Sequence, residues 1–135
     1  GHCFVLQPRG TTGYCHRIIC AQDYSAVTAA CMMVKRTAFE EVGGLSEELQ
    51  VAFNDIDFCM KLRSAGYLIV YNPYAELYHY ESKSRGLEDT PEKVARFNRE
   101  ISIFEKRWPD ILRNGDPYYN PNLTLKSQDF SLKRI

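Results

Sequence analysis

Glycine and proline set how long each regular element of this chain can run. Gly43-Gly44, Gly66, Pro73, Pro91 and Pro109 divide the middle of the sequence into short pieces. Glycine takes the left-handed turn that stops a helix, and proline cannot continue one. Ala26 to Val34 is a small, apolar, β-forming run and reads as a buried strand. Thr37 and Glu40 then have capping-box spacing, and a short helix with Phe39 and Val42 facing inward ends at Gly43-Gly44. Ser46 to Ala52 is a connector.

Asn54 reads as the N-cap of the next helix, since its side chain can accept from a first-turn amide. Phe58, Leu62 and Ala65 form one apolar stripe, and Gly66 stops the helix. Leu68 to Tyr71 is a short strand, Pro73 turns the chain, and Ala75 to Tyr80 alternates. Ser82 to Asp89 is a polar, charged loop. Thr90-Pro91 starts a helix with Thr as cap and Pro at the first position. Val94, Phe97, Ile101 and Phe104 carry it to about Arg107, and Pro109 breaks it. Three stretches result: an irregular lead-in over 1–25, a body over 26–113, and an extended arm over 114–135 that packs by its tyrosines.

At 135 residues the chain is long enough for one core, and 44% hydrophobic with 25% charged residues is an ordinary globular balance. Seventeen basic residues match seventeen acidic ones, which argues against a nucleic-acid surface. No apolar run is long enough to span a bilayer, and no secretory signal is visible. The sequence starts at Gly1 rather than Met, which reads as a processed or cut chain. Five cysteines without a CxxC pair fit reduced thiols. Cys31 and Cys59 read as small core residues. His2-Cys3 and Cys15-His16 with Cys20 match no standard zinc spacing.

The chemistry concentrates in Asn54-Asp55-Ile56-Asp57. Residues two apart on a helix differ by about 200° in direction, so Asp55 and Asp57 cannot share a pocket. Asp55 heads the stripe of Phe58, Cys59 and Leu62. Asp57 lines up with Lys61 for a surface ion pair and can reach back to the Asn54 amide. First-turn acids usually just favour the helix dipole, and that suffices for Asp57. An acid aimed along an apolar stripe needs a further reason, and Asp55 suits a general base. His79 alone would read as a partly buried strand histidine. Ser82, Lys83, Ser84, Arg85 and Gly86 follow it, and hydroxyls with cations in one loop suit a diphosphate as well as they suit solvent.

Four segments together resemble a known family: Ala26-Val-Thr-Ala-Ala-Cys-Met-Met-Val-Lys-Arg, Phe39-Glu-Glu-Val-Gly-Gly-Leu, Val51-Ala-Phe-Asn-Asp-Ile-Asp-Phe-Cys-Met-Lys-Leu-Arg-Ser-Ala-Gly-Tyr, and Tyr71-Asn-Pro-Tyr-Ala-Glu-Leu-Tyr-His-Tyr-Glu-Ser-Lys-Ser-Arg-Gly. They resemble the C-terminal half of family 2 glycosyltransferases, inverting enzymes of cell-wall, O-antigen and capsule synthesis in bacteria, of the rhamnosyltransferase type. The likeness covers residues 26–86, continues more weakly through Asp116-Pro-Tyr-Tyr-Asn-Pro-Asn-Leu, and fades before residue 20.

The resemblance implies an α/β fold: the C-terminal portion of a GT-A, or nucleotide-diphospho-sugar transferase, fold, with a mixed sheet flanked by helices. It puts the catalytic base on Asp55, where the family's usual Glu-Asp pair is Asn54-Asp55 here. It puts a metal or diphosphate contact on His79. Thr28, Ala29 and Ala30 become the floor beside donor and acceptor, with Asn54, Asp57, Ser84 and Arg85 as further donor or acceptor contacts. A divalent cation, Mg or Mn, is the implied cofactor. A nucleotide-sugar donor and a saccharide or glycolipid acceptor are the implied partners. Reduced thiols fit a cytoplasmic location, with association at the inner face of the membrane, and a half-sheet with an exposed edge can pair with a second copy as a homodimer.

The family's N-terminal half carries a metal-gripping Asp-x-Asp after a strand. Here Asp55-Ile-Asp57 has that spelling but opens a helix. The chain therefore reads as part of a longer enzyme, inactive by itself. Two rivals are a non-catalytic binding module of the same fold and a hydrolase using Asp55 with Asp57. The opposite facing of the two acids argues against the hydrolase.

Overall fold

Paired glycines and N-terminal prolines bound the helices of the computed structural model, which describes residues 3–4, 7–78, 90–127 and 129–134. In chain order the elements are strand β1 (Gln22–Asp23), helix α1 (Arg36–Glu41), helix α2 (Asn54–Ser64), strand β2 (Val70–Tyr71), helix α3 (Pro91–Arg107) and helix α4 (Pro109–Asn114). Short 3-10 turns lie at Tyr14–His16 and Ala29–Cys31. The fold is a small mixture of helix and sheet.

Helices α1 and α2 end alike. The Gly44 N–H reaches the Phe39 carbonyl at 2.9 Å and the Gly43 N–H reaches Glu40 at 3.2 Å. Likewise the Tyr67 N–H reaches Leu62 at 3.0 Å and the Gly66 N–H reaches Arg63 at 3.0 Å. This double closure satisfies carbonyls that a helix end leaves open. It requires a left-handed residue, and Gly43 and Gly66 have φ of 73° and 89°.

The helix starts differ from expectation. Asn54 is already helical, and the N-cap is Phe53, in left-handed conformation with φ 63° and ψ 1°. The Asp57 N–H closes the first turn onto the Phe53 carbonyl at 2.7 Å. The Thr37 capping box does not form either, because α1 begins at Arg36 with Lys35 as an N-cap that makes no side-chain bond. At α2 the entry is set by tertiary packing, the Phe53 ring lying against Phe97 and Phe104. Helix α3 starts as read, with the Thr90 hydroxyl accepting from the Lys93 N–H at 3.4 Å and Pro91 in the first turn.

The run from Ala26 to Val34 is not a strand. Thr28 caps the Ala29–Cys31 turn, its hydroxyl accepting from the Ala30 N–H at 3.3 Å. β-forming residues become a strand only against a partner ladder, and β1 and β2 pair with each other instead. Cys31, expected in the core, is exposed in that turn, while Cys59 is buried. The sheet, expected to be mixed, is among the described residues one antiparallel pair, with Gln22 opposite Tyr71 and Asp23 opposite Val70. So short a pair needs outside support. It receives an edge-on contact between Tyr24 and Tyr71, with centroids 5.9 Å apart, and a bond from the Tyr71 hydroxyl to the Ile18 carbonyl at 2.9 Å. Residues 75–78 form no strand.

The core gathers on α2. Phe58, Cys59, Met60 and Leu62 are buried there with Ala38, Leu49, Ile69 and Phe104. At about 1.5–3 kcal/mol for each large apolar side chain buried, this cluster is the main source of stability. On α3 the buried residues are Glu100 and Phe104, while Val94, expected inward, is exposed. The arm folds back on itself: Leu123 bridges Leu132, and Phe130 stacks on Phe4 and on Tyr14, each at 4.9 Å. Tyr119 joins that cluster at 5.7 Å. Among the described residues, no helix is long and apolar enough to cross a membrane.

Candidate functional site

Asp55 stands in the first turn of α2, half-buried, with its carboxylate toward the Ala29–Cys31 turn. Its Oδ2 accepts from the Ala29 N–H at 3.2 Å and its Oδ1 from the Ile56 N–H at 2.9 Å. The neighbouring turn is held in place from below. The Cys59 thiol, one helical turn after Asp55, donates to the Val27 carbonyl at 3.7 Å. Burial pushes that thiol's pKa up, so it stays protonated and able to donate. Val27 is thereby fixed to α2, and Thr28, Ala29 and Ala30 follow directly beside Asp55.

The structure thus joins four of the expected residues, Thr28, Ala29, Ala30 and Asp55, at one place. Thr28 is half-buried, and Ala29 and Ala30 are exposed, so the turn meets solvent where the carboxylate does. Asn54 adjoins Asp55 in the same helical turn, half-buried. His79, Ser84 and Arg85 lie outside the described residues, as do Ser82, Lys83 and Gly86.

Asp57 corrects the reading of a surface ion pair. It is 0% exposed. Its Oδ2 accepts from the Ser46 hydroxyl at 2.6 Å, and its Oδ1 from the Trp108 indole N–H at 2.9 Å and the Arg107 guanidinium at 3.0 Å. Lys61 is its ion-pair partner as expected, at 3.8 Å, but within this buried group. Its bonds run to the loop and to the end of α3 rather than back to the Asn54 amide. Burial alone would raise the Asp57 pKa, but the bonds from Ser46, Trp108 and Arg107 outweigh it, and the net direction is down. A carboxylate so enclosed ties α2 to Ser46 and to the end of α3, and offers no free surface to a ligand. The opposite facing of the two acids does hold, since they share no partner.

Glu100, Arg107 and Trp108 carry structure that the sequence reading missed. A signal was present for two of them. Glu100 sits three residues after Phe97 and four before Phe104, an acid on an apolar stripe, as Asp55 is. Trp108 is the chain's one tryptophan, and a packed indole N–H seeks an acceptor. Arg107 gave no local signal.

Among the described residues no three of His, Cys, Asp and Glu come together as a metal would require. His79, the expected metal contact, lies outside the described residues. Two surface hollows lie elsewhere, one against Arg63, Asp110 and Asn114, the other against Arg9, Glu76 and Tyr78.

No family model matches the chain, and no solved structure matches it. Four curated proteins do, two of them the same enzyme from two strains of one organism. An uncharacterized protein, y4gI, of Sinorhizobium fredii is 56% identical over 135 residues, which cover 98% of this chain and 14% of that protein. The O-antigen biosynthesis protein RfbC of Myxococcus xanthus is 34% identical over 136 residues, covering 99% of this chain and 10% of that protein. The N-acetylglucosaminyl-diphospho-decaprenol L-rhamnosyltransferase of Mycobacterium tuberculosis is 35% identical over 78 residues, covering 58% of this chain and 25% of that protein. The chain spans a quarter or less of the length of each of these relatives.

Proposed function

We propose that this chain is the base-bearing, acceptor-side part of a glycosyltransferase of the GT-A type, and that the whole protein works in O-antigen or cell-wall polysaccharide synthesis. The observation that carries the reading is the half-buried Asp55 carboxylate at a helix start, 3.2 Å from the Ala29 N–H of a small-residue turn. The names of two relatives, an O-antigen biosynthesis protein and a rhamnosyltransferase, support it.

In this reading Asp55 accepts the proton of an acceptor hydroxyl as that oxygen attacks the anomeric carbon of a nucleotide-diphospho-sugar. The new carbon–oxygen bond forms on the face opposite the leaving diphosphate. The bond from anomeric carbon to phosphate oxygen breaks, its electron pair leaves with the nucleoside diphosphate, and the configuration inverts. Thr28, Ala29 and Ala30 hold the two substrates close, and their small side chains leave room for a sugar ring. His79, Ser84 and Arg85 belong to the diphosphate side of the same reading. A saccharide or glycolipid is the acceptor class.

The test is Asp55→Asn in the full-length protein. Transfer falls by about 10²–10⁴-fold, the usual contribution of a positioned base, while circular dichroism and thermal unfolding stay unchanged. Retained transfer overturns the reading. It would favour a binding module, for which one fact already speaks: both Asp55 oxygens are engaged by backbone N–H groups.

A further inference from the structure

Glu100 is wholly buried on α3, yet it bonds to none of the groups around Asp57. Its Oε2 accepts from the Ala52 N–H at 2.6 Å. Its Oε1 has no hydrogen-bond partner among the described residues and lies 3.8 Å from the Arg96 Nε. A buried carboxylate is costly unless it does something that apolar packing cannot. Here it captures one backbone N–H, just before the bend that starts α2.

That bend is strained and clamped. Phe53 is left-handed at φ 63°, a conformation unfavourable for a residue other than glycine. Its ring packs on Phe97 at 5.6 Å and on Phe104 at 5.4 Å. Phe97, Glu100 and Phe104 share one face of α3 at helical spacing. That face therefore grips two consecutive residues: Glu100 holds the Ala52 amide, and the two rings hold the Phe53 side chain. The Phe53 carbonyl then accepts the first helical bond of α2, and Asp55 follows two residues later.

We propose that Glu100 is a positioning residue for Asp55: by holding the Ala52 N–H it sets the direction in which the first turn of α2 presents the Asp55 carboxylate. The inference rests on the reading of Asp55 as the base. Displacing a base by a fraction of an ångström weakens the transition state and leaves donor binding alone, so the effect falls on kcat rather than KM.

The experiment compares Glu100→Asp with Glu100→Gln in the full-length protein. The donor is whichever of a panel of UDP-, GDP- and dTDP-sugars gives Asp55-dependent release of nucleoside diphosphate. The shorter Asp keeps the charge but falls short of Ala52. The Gln loses the charge but keeps an oxygen that can accept the same N–H. With rates taken per folded molecule, E100D loses about tenfold or more in kcat at a KM within about twofold, and E100Q stays within about threefold of the parent. Unchanged kcat in E100D overturns the proposal, and so does a comparable loss in E100Q. Asp55-independent release, or none from any donor, overturns the reading of Asp55 itself. Full activity of both Glu100 variants beside an inactive D55N overturns only the positioning role.

Discussion

The indole N–H of Trp108 donates to Asp57 across 51 positions of sequence, at 2.9 Å, and the neighbouring Arg107 reaches the same oxygen at 3.0 Å. One buried carboxylate on α2 thereby fixes the end of α3. With Ser46 on its other oxygen it also fixes the loop between α1 and α2. Asp57→Ala leaves the guanidinium and the indole N–H without their acceptor. We expect a loss of about 3–5 kcal/mol, the usual cost of breaking a buried charged pair. Trp108→Phe removes one donor and keeps the ring, and costs about 1–2 kcal/mol. Denaturant unfolding measures both, and equal losses would contradict a hub centred on Asp57.

The same carboxylate gives stability a pH dependence. Its folded pKa lies below its unfolded value, because the three bonds favour the charged form more than burial disfavours it. Its contribution is complete above the unfolded pKa of about 4 and is lost as pH falls through the folded value. Stability measured from pH 7 down to pH 2 should therefore fall more steeply below about pH 4 in the parent than in Asp57→Asn, which has no charge there to lose. Parallel curves would contradict it.

Two glycines separate strain from crowding. A Cβ on Gly44, at φ +62°, would lie 2.8 Å from Phe39 ring carbons, whereas one on Gly66, at φ +89°, would meet nothing within 4 Å. Gly66→Ala therefore carries only the left-handed penalty, about 1–2 kcal/mol. Gly44→Ala adds overpacking against Phe39, a further 1–3 kcal/mol or so. Thermal unfolding of the two variants should rank them in that order.

These 135 residues by themselves should bind a nucleotide sugar only weakly. Among the described residues there is no metal-holding cluster, and the hollows near Arg63 and Glu76 do not include Asp55. Titration calorimetry with UDP-, GDP- and dTDP-sugars should show no binding tighter than about a millimolar Kd, some −4 kcal/mol. Micromolar binding would show that the donor site is contained in this chain.

What the sequence determined by itself was local. Gly43-Gly44 and Gly66 stop their helices, and Thr90-Pro91 starts one, because each acts through the backbone within a single turn. The separation of Asp55 from Asp57 is equally local, since it follows from helical pitch. Tertiary structure decided which acid is enclosed. Asp57 is buried because Arg107 and Trp108 come to it from the far end of α3, and helical periodicity around residue 57 contains no trace of them. It also decided that Ala26 to Val34 is a turn beside Asp55 rather than a strand, because a strand exists only where another lies alongside. The bend at Phe53 has the same origin. A left-handed phenylalanine is locally unfavourable, and it persists because Phe97, Glu100 and Phe104 hold it from more than forty positions away.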